Sequence, residues 1–356
     1  MPIVLKKICL SVFVLSTFLL SACDPVENKM PSVAEVALYE GPDRAQRLIA
    51  AARKEGALTF YTSVNKLQQD SPVIEAFQKK YGIKVAVWRA ASEKVLQRVL
   101  IETKAERFDV DVVTITASDL EAMHRETLLQ EVKSPYFAEL IPAALPPHKE
   151  WVGTYLLAFV QAYNTKAVKK KDLPKTYQDL LHPKWKGRLG IESKDYEWFY
   201  SVVKEMGEKE GLAFFKQLVA RNGVSVRNGH SLLTNLVASG EVPLALTVYH
   251  YTPEQLKQKG APIEWFAIEP VIAGLAATGV SKRAPHPHAA ILFYDYLISE
   301  EAQKMLLQMN YAPVNKKVES PLKNIRIKLI DPATSLDESE KWTKLYDEIV
   351  LRQGGK

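Results

Sequence analysis

The sequence predicts an α/β protein of two lobes, and three observations predict it. Three strand-then-helix units follow one another between Leu58 and Glu121, a rhythm that builds a parallel sheet with helices on its faces. A fourth passage of the same kind, Val226 to Tyr251, stands far downstream. Once a leader of 22 residues is set aside, 334 of the 356 residues remain, more than one ordinary domain and enough for two lobes.

The leader comes first. Lys6 and Lys7 precede an apolar run, Ile8 to Leu20, too short for a comfortable membrane span, and Leu20-Ser21-Ala22 puts small residues before Cys23. This is a lipobox: residues 1–22 read as a lipoprotein signal peptide, Cys23 as the lipidated residue and 23–40 as a lipidated tether. The mature chain is then anchored to a membrane without spanning it. Asp24 resembles the signal that keeps Gram-negative lipoproteins at the inner membrane, which implies its periplasmic face. In another cell type the expectation is the extracytoplasmic face of the cell membrane.

Cys9 leaves with the leader and Cys23 carries lipid, so no thiol remains for a disulfide, a zinc-thiolate site or nucleophilic catalysis. Net charge is +6, from 47 basic and 41 acidic residues, and +4 without Lys6 and Lys7. No basic run is interleaved with aromatics, so nucleic acid is not the expected partner. An anionic ligand or a membrane surface is compatible with the excess.

In chain order, Asp43 to Glu55 repeats apolar positions at helical spacing and Gly56 ends it. Leu58 to Tyr61 is the first strand, and a helix begins at Pro72. Ile83 to Trp88 is the second strand, and Ser92 opens the helix carrying Val95, Leu96, Val99 and Leu100. Val110 to Ile115 is the third, and Ser118 is expected to cap the next helix, with Glu121 at capping-box spacing. The exit loops, Tyr61–Ser63, Arg89–Ser92 and Thr116–Ser118, gather on one edge. Trp151 to Asn164 is an extended run long enough to cross between lobes, and Leu173 to Leu189 reads as a short helix, a turn and a strand.

In the passage from Val226 to Tyr251, Asn228, Gly229, His230 and Ser231 precede a helix with Leu232, Leu233, Leu236 and Val237 at helical spacing, stopped by Gly240. Val242 to Val248 is a buried strand ending in Tyr249-His250-Tyr251. Helix starts and strand ends are where open α/β sheets collect ligands, so both ends of this passage are pocket wall.

Several stretches together carry a family resemblance. Trp151-x-Gly-x-Tyr155, Ala162-Tyr-Asn164, Leu173 to Leu189, Ser239-Gly-Glu-Val-Pro-Leu-Ala-Leu246, Ala284 to Ala290 and Leu297 to Gln303 resemble the extracellular solute-binding proteins of ABC importers, in the branch that includes ferric-ion-binding proteins. The resemblance covers nearly the whole mature chain. It implies a two-lobe periplasmic-binding-protein type II fold, each lobe a mainly parallel sheet flanked by helices, joined by crossing strands. It also implies a permease and its ATPase as partners, and a receptor that works as a monomer. By analogy 41–155 is lobe one with a return segment at about 270–310. Residues 156–269 are lobe two, and the helices of 311–356 are left unassigned.

The ligand remains open among three chemistries. Ferric iron is a hard cation that prefers oxygen donors, and the family's tyrosine pair falls at Tyr249 and Tyr251, with Tyr61 near where another ligand enters. Iron would be transported cargo, and no cofactor is expected. His250 separates the tyrosines: on a continued strand it points away from them, in a loop all three converge. A small organic or phosphorus-containing anion is the alternative, held by the helix-start serines Ser63, Ser92, Ser118 and Ser231 with an Arg89 clamp. A polyamine is the third, against a wall of Glu192, Asp195, Glu197 and Trp198. His286 and His288, among prolines and without a nearby carboxylate in sequence, are expected to be structural. No nucleophile elbow, zinc helix or phosphate loop is present, so a hydrolytic enzyme is a remote reading and a non-enzyme the expected one.

Overall fold

A computed structural model describes residues 31–352; the expected signal peptide, Cys23 and the start of the expected tether lie outside the described residues. Within the span expected to be tether, Ser32 and Glu35 form a capping box that opens α1 (Val33–Ala37), whose Val33, Val36 and Ala37 are buried. The next helix, α2 (Arg44–Glu55), stops at Gly56, whose φ of 71° is the left-handed turn that glycine supplies without strain. Three strand-helix units follow: β1 (Ala57–Thr62) and α3 (Pro72–Tyr81), β2 (Lys84–Arg89) and α4 (Ser92–Lys104), β3 (Val112–Thr116) and α5 (Ala117–Arg125). β1 pairs in parallel with β2 on one side and β3 on the other.

After β4 (Leu129–Gln130) the chain enters β5 (Trp151–Asn164), buried along its full length. A second set follows: β6 (Leu189–Glu192), α6 (Tyr196–Met206), α7 (Glu208–Asn222), β7 (Ser225–Arg227), α8 (His230–Ser239), β8 (Leu244–Tyr249), α9 (Tyr251–Lys257) and β9 (Ile263–Phe266). Here β6 pairs in parallel with β7 and β8. The chain returns through β10 (Val271–Ser281), α10 (Pro287–Ile298), α11 (Glu300–Gln308), β11 (Ala312–Pro313), β12 (Ile327–Leu329), α12 (Pro332–Asp337) and α13 (Ser339–Tyr346).

Strand order is β2-β1-β3-β10-β5-β8-β6-β7, so two parallel trios flank two antiparallel strands. β5 belongs to both halves, pairing with β10 from Trp151 to Ala158 and with β8 from Phe159 to Tyr163. Two apolar clusters form the core: the first fills the first half and runs on into α8 and β8 through Leu233, Val237 and Val248, and the second lies mainly in the other half. Phe60, Phe77 and Phe293 meet edge to face in the first, with ring centroids 4.9–5.1 Å apart. Trp198, Phe199, Phe215 and Trp342 fill the second. α12 packs on α5 of the first half and α13 on α6 of the second, so the C-terminal helices straddle both.

Local chemistry shifts several expected boundaries. Thr116, not Ser118, caps α5: its backbone is extended and its hydroxyl accepts the Asp119 amide. Ala91 precedes α4, and Ser92 is the first helical residue. Between Leu173 and Leu189 the prolines permit two short 3₁₀ turns, Gln178–Leu181 and Pro183–Trp185, where one short helix was expected.

Candidate functional site

The edges of the two halves face each other along β5, and the loops that meet there carry most of the expected site residues. From the first half come Asn65, after β1, and Arg89, at the end of β2, whose guanidinium hydrogen-bonds the Asn65 side-chain oxygen. The Asn65 amide then donates to Ser231 Oγ of the second half at 3.1 Å. Ser118 Oγ donates to Glu197 Oε1 at 2.6 Å, and Lys194 Nζ reaches Glu93 Oε1 at 2.5 Å. These side-chain contacts bridge the halves, and the cleft is closed.

At the centre lies a group of aromatic side chains. β8 ends at Tyr249 and α9 begins at Tyr251, so the chain turns between them and the two rings stack, 5.7 Å apart and 18° from parallel. His250 faces the other way, buried against Tyr251 and Trp265, where desolvation lowers its pKa to about 4. Tyr251 also meets Tyr311 at 4.5 Å and Tyr155 of β5 at 6.3 Å, and Tyr155 lies 4.4 Å from Tyr311. Burial raises the pKa of all four phenols, with mutual repulsion adding to it for Tyr155, Tyr249 and Tyr251. The charge of Arg89 opposes that rise at Tyr251 and Tyr311. Among the described residues the Tyr311 hydroxyl has no partner at hydrogen-bonding geometry, although the residue is fully buried.

His230 extends the group. Its ring lies 4.0 Å from that of Tyr249, and its Nε2 is 3.2 Å from Asp195 Oδ1. Burial opposes the imidazolium charge, but Asp195 outweighs it and the His230 pKa is raised. Ligand atoms of Glu192, Asp195 and His230 fall within 4.8 Å of one another, spacing that suits a metal ion. Glu192 is already engaged, accepting the Gly229 amide at 2.8 Å and the Lys194 amide at 2.5 Å, which leaves Asp195 and His230 as the freer donors. A second cluster, Glu121, His124 and His148, lies away from the tyrosines. There His148 Nδ1 accepts the Glu150 amide at 3.1 Å, so its remaining N–H points at Glu121 and offers a cation no lone pair.

The structure does not bring every expected residue here. Tyr61 turns to α4, where its hydroxyl donates to Glu102 at 3.0 Å and the Arg98 guanidinium lies 4.6 Å over its ring. Burial and the Glu102 charge push its pKa up to about 12. Ser92 Oγ accepts the Thr116 amide at 3.0 Å and ties two first-half loops together. Asn228 is exposed, Ser63 is half-buried, and Trp198 is core rather than wall. His286 and His288 are structural as expected, though their carboxylate partners Asp111 and Glu55 come from distant sequence. Sequence reasoning missed Asn65, Tyr155 and Tyr311. Tyr155 carried a signal, as the aromatic in the middle of the crossing strand, whereas Asn65 and Tyr311 stand in loops without a pattern.

A family model for bacterial extracellular solute-binding proteins matches residues 73–325. The chain belongs to that family. Iron uptake protein A1 of Synechocystis is 28% identical over 274 residues, covering 70% of this chain and 76% of that protein. The major ferric iron-binding protein of Neisseria meningitidis is 24% identical over 331 residues, 86% of this chain and 97% of that one. Iron-bound HitA from Pseudomonas aeruginosa matches with a TM-score of 0.72 at 24% identity, over 82% of this chain and 99% of that chain. AfuA from Actinobacillus pleuropneumoniae, solved with fructose-6-phosphate, also scores 0.72, at 21% identity over 83% and 99% of the two chains. These structures establish the two-lobe type II binding-protein fold.

In a solute-binding protein the contacts that bridge the cleft set how tightly it closes. Glu197 accepts from Ser118 and from Ser335 of α12, and desolvation with repulsion from Asp119 and Asp195 raises its pKa. A carboxyl group raised on folding contributes most below the ordinary glutamate range and loses that contribution as pH rises. Glu197→Gln, which keeps an oxygen acceptor for both serines, is therefore expected to raise Tm at pH 7 by a few degrees. The gain should vanish near pH 4, where glutamate is itself protonated; a lower Tm at pH 7 would refute the argument.

Proposed function

We propose that this protein is the membrane-anchored receptor of an ABC importer, capturing ferric iron in the interlobe cleft and delivering it to a permease and its ATPase on the extracytoplasmic side of the membrane. The observation that carries the iron reading is the convergence of Tyr155, Tyr249, Tyr251 and Tyr311 beside His230 and Asp195. Phenolate and carboxylate oxygens are hard donors suited to a hard trivalent cation. Buried phenols resist ionisation in the empty site, and a ferric ion reverses this by replacing their protons, so binding releases protons and weakens as pH falls. The names of the relatives in Synechocystis and Neisseria support the same reading. Capture ends with the halves closed, held by the Asn65–Ser231 and Ser118–Glu197 contacts.

A ferric citrate titration followed by visible absorption tests this. A saturable phenolate-to-iron band at one equivalent, bleached by acid, is the expected result. The absence of a band turns attention to a small anion, for which Arg89, Asn65 and Ser231 form a ready polar chain across the cleft. Mass spectrometry of the co-purified ligand then decides.

A further inference from the structure

The charge of this protein is concentrated in one place. Between Thr165 and Arg188 stand Lys166, Lys169, Lys170, Lys171, Lys175, Lys184, Lys186 and Arg188, against Asp172 and Asp179. Eight cations less two carboxylates is +6, the net charge of the entire chain. The backbone gathers them. Lys184 Nζ donates to the Asp172 carbonyl at 2.8 Å and Arg188 Nη2 to the Ala167 carbonyl at 2.8 Å, which holds the 166–172 segment beside the 184–188 segment. The seven lysines are exposed and Arg188 is half-buried, and among the described residues none of the eight forms a salt bridge. Two nearby carboxylates are already engaged: Asp179 accepts the Lys175 and Thr176 amides, and Glu264 takes Lys257 at 2.6 Å and the Tyr163 hydroxyl at 3.0 Å.

We propose that this lysine face of the second half is a docking surface for an anionic phospholipid bilayer. Two features select lipid over a protein partner. Protein interfaces centre on buried aromatic or aliphatic anchors. Among the described residues the exposed large apolar side chains are Leu38, Ile101, Leu232 and Leu329, none of them in this segment, and Trp185 is buried. The face is also almost purely lysine, a hydrated point charge that suits a diffuse field of headgroups, where recognition of a fixed carboxylate favours the arginine fork. The proposal is independent of the iron reading and of the lipid anchor. A receptor docked in this way searches a membrane surface for its permease, not the surrounding volume.

Residues from Ser32 onward form one compact unit holding both apolar cores, so they serve for the test without the leader and Cys23. This body is co-sedimented with vesicles of phosphatidylcholine, alone or mixed with phosphatidylglycerol. Binding to the mixed vesicles only, lost as salt rises, is expected. Lys169→Glu/Lys170→Glu/Lys171→Glu should weaken it at least about 100-fold. Lys79→Glu/Lys84→Glu/Lys104→Glu, with the same change in net charge on the first half, should cost less than about tenfold. Failure to bind the anionic vesicles, or equal losses from the two triples, overturns the proposal and leaves an acidic protein surface as the partner of this face.

Discussion

Tyr249→Phe is expected to abolish the visible iron band and to weaken ferric binding by more than about 100-fold, beyond what loss of a supporting partner of a metal ligand costs. Tyr251→Phe should do the same. The substitution deletes one oxygen and keeps the ring, so the contacts of Tyr249 with Phe159 at 5.1 Å and His230 at 4.0 Å survive and Tm should barely move. Loss of the band without loss of stability therefore reports on coordination rather than folding. Tyr155→Phe and Tyr311→Phe extend the experiment to the two phenols on the other side of Tyr251. Tyr61→Phe is the internal control. It removes a hydrogen bond to buried Glu102 and should cost about 1–2 kcal/mol of stability while leaving the band intact. A band that persists in both Tyr249→Phe and Tyr251→Phe would sink the iron reading, and one lost in Tyr61→Phe would restore that residue to the site.

The contrast between Tyr61 and Tyr311 shows what sequence reveals and what it hides. The strand-helix rhythm follows from local pattern, so the parallel trios and the buried crossing strand were legible. The end of β8 was legible too, because an apolar run that stops in Tyr-His-Tyr has to stop at the sheet edge. Which way a side chain faces there depends on partners from distant sequence. Tyr61 reaches the edge on β1, but Glu102 and Arg98 on α4 give its hydroxyl and ring a better environment inside the first half. Tyr311 sits in a loop after α11 and enters the tyrosine group only because β11 pairs with β5 beside Tyr155. Serines at helix starts were legible as a common edge, yet they divide in role. Ser92 braces its own half, whereas Ser118 and Ser231 reach across.

The largest expected effect on stability belongs to Asp111, which no motif marks. It is fully buried at the start of β3, where its carboxylate accepts the Thr59 amide at 2.7 Å, the His286 amide at 2.7 Å and His286 Nδ1 at 2.9 Å. Its own carbonyl accepts the Ser281 amide at 2.9 Å. One residue therefore joins β1, the end of β10 and the entry to α10, each more than 50 residues from it in sequence. Asp111→Ala strips the partner from the Thr59 amide, the His286 amide and His286 Nδ1 at once, leaving the backbone bond to Ser281 in place, and is expected to cost about 3–5 kcal/mol. Asp111→Asn keeps one acceptor but turns an amide N–H toward a donor, so it should recover only part of the loss. Chemical denaturation measures both, and a cost below about 1 kcal/mol for the alanine variant would refute the pinning role. The same measurement bears on His286 and His288, whose spacing tempts a metal reading. Each is committed to its own carboxylate, Asp111 or Glu55, through both its backbone amide and its Nδ1. His288→Ala should accordingly lower the unfolding midpoint in the same measurement, because it removes the Nδ1 contact with Glu55.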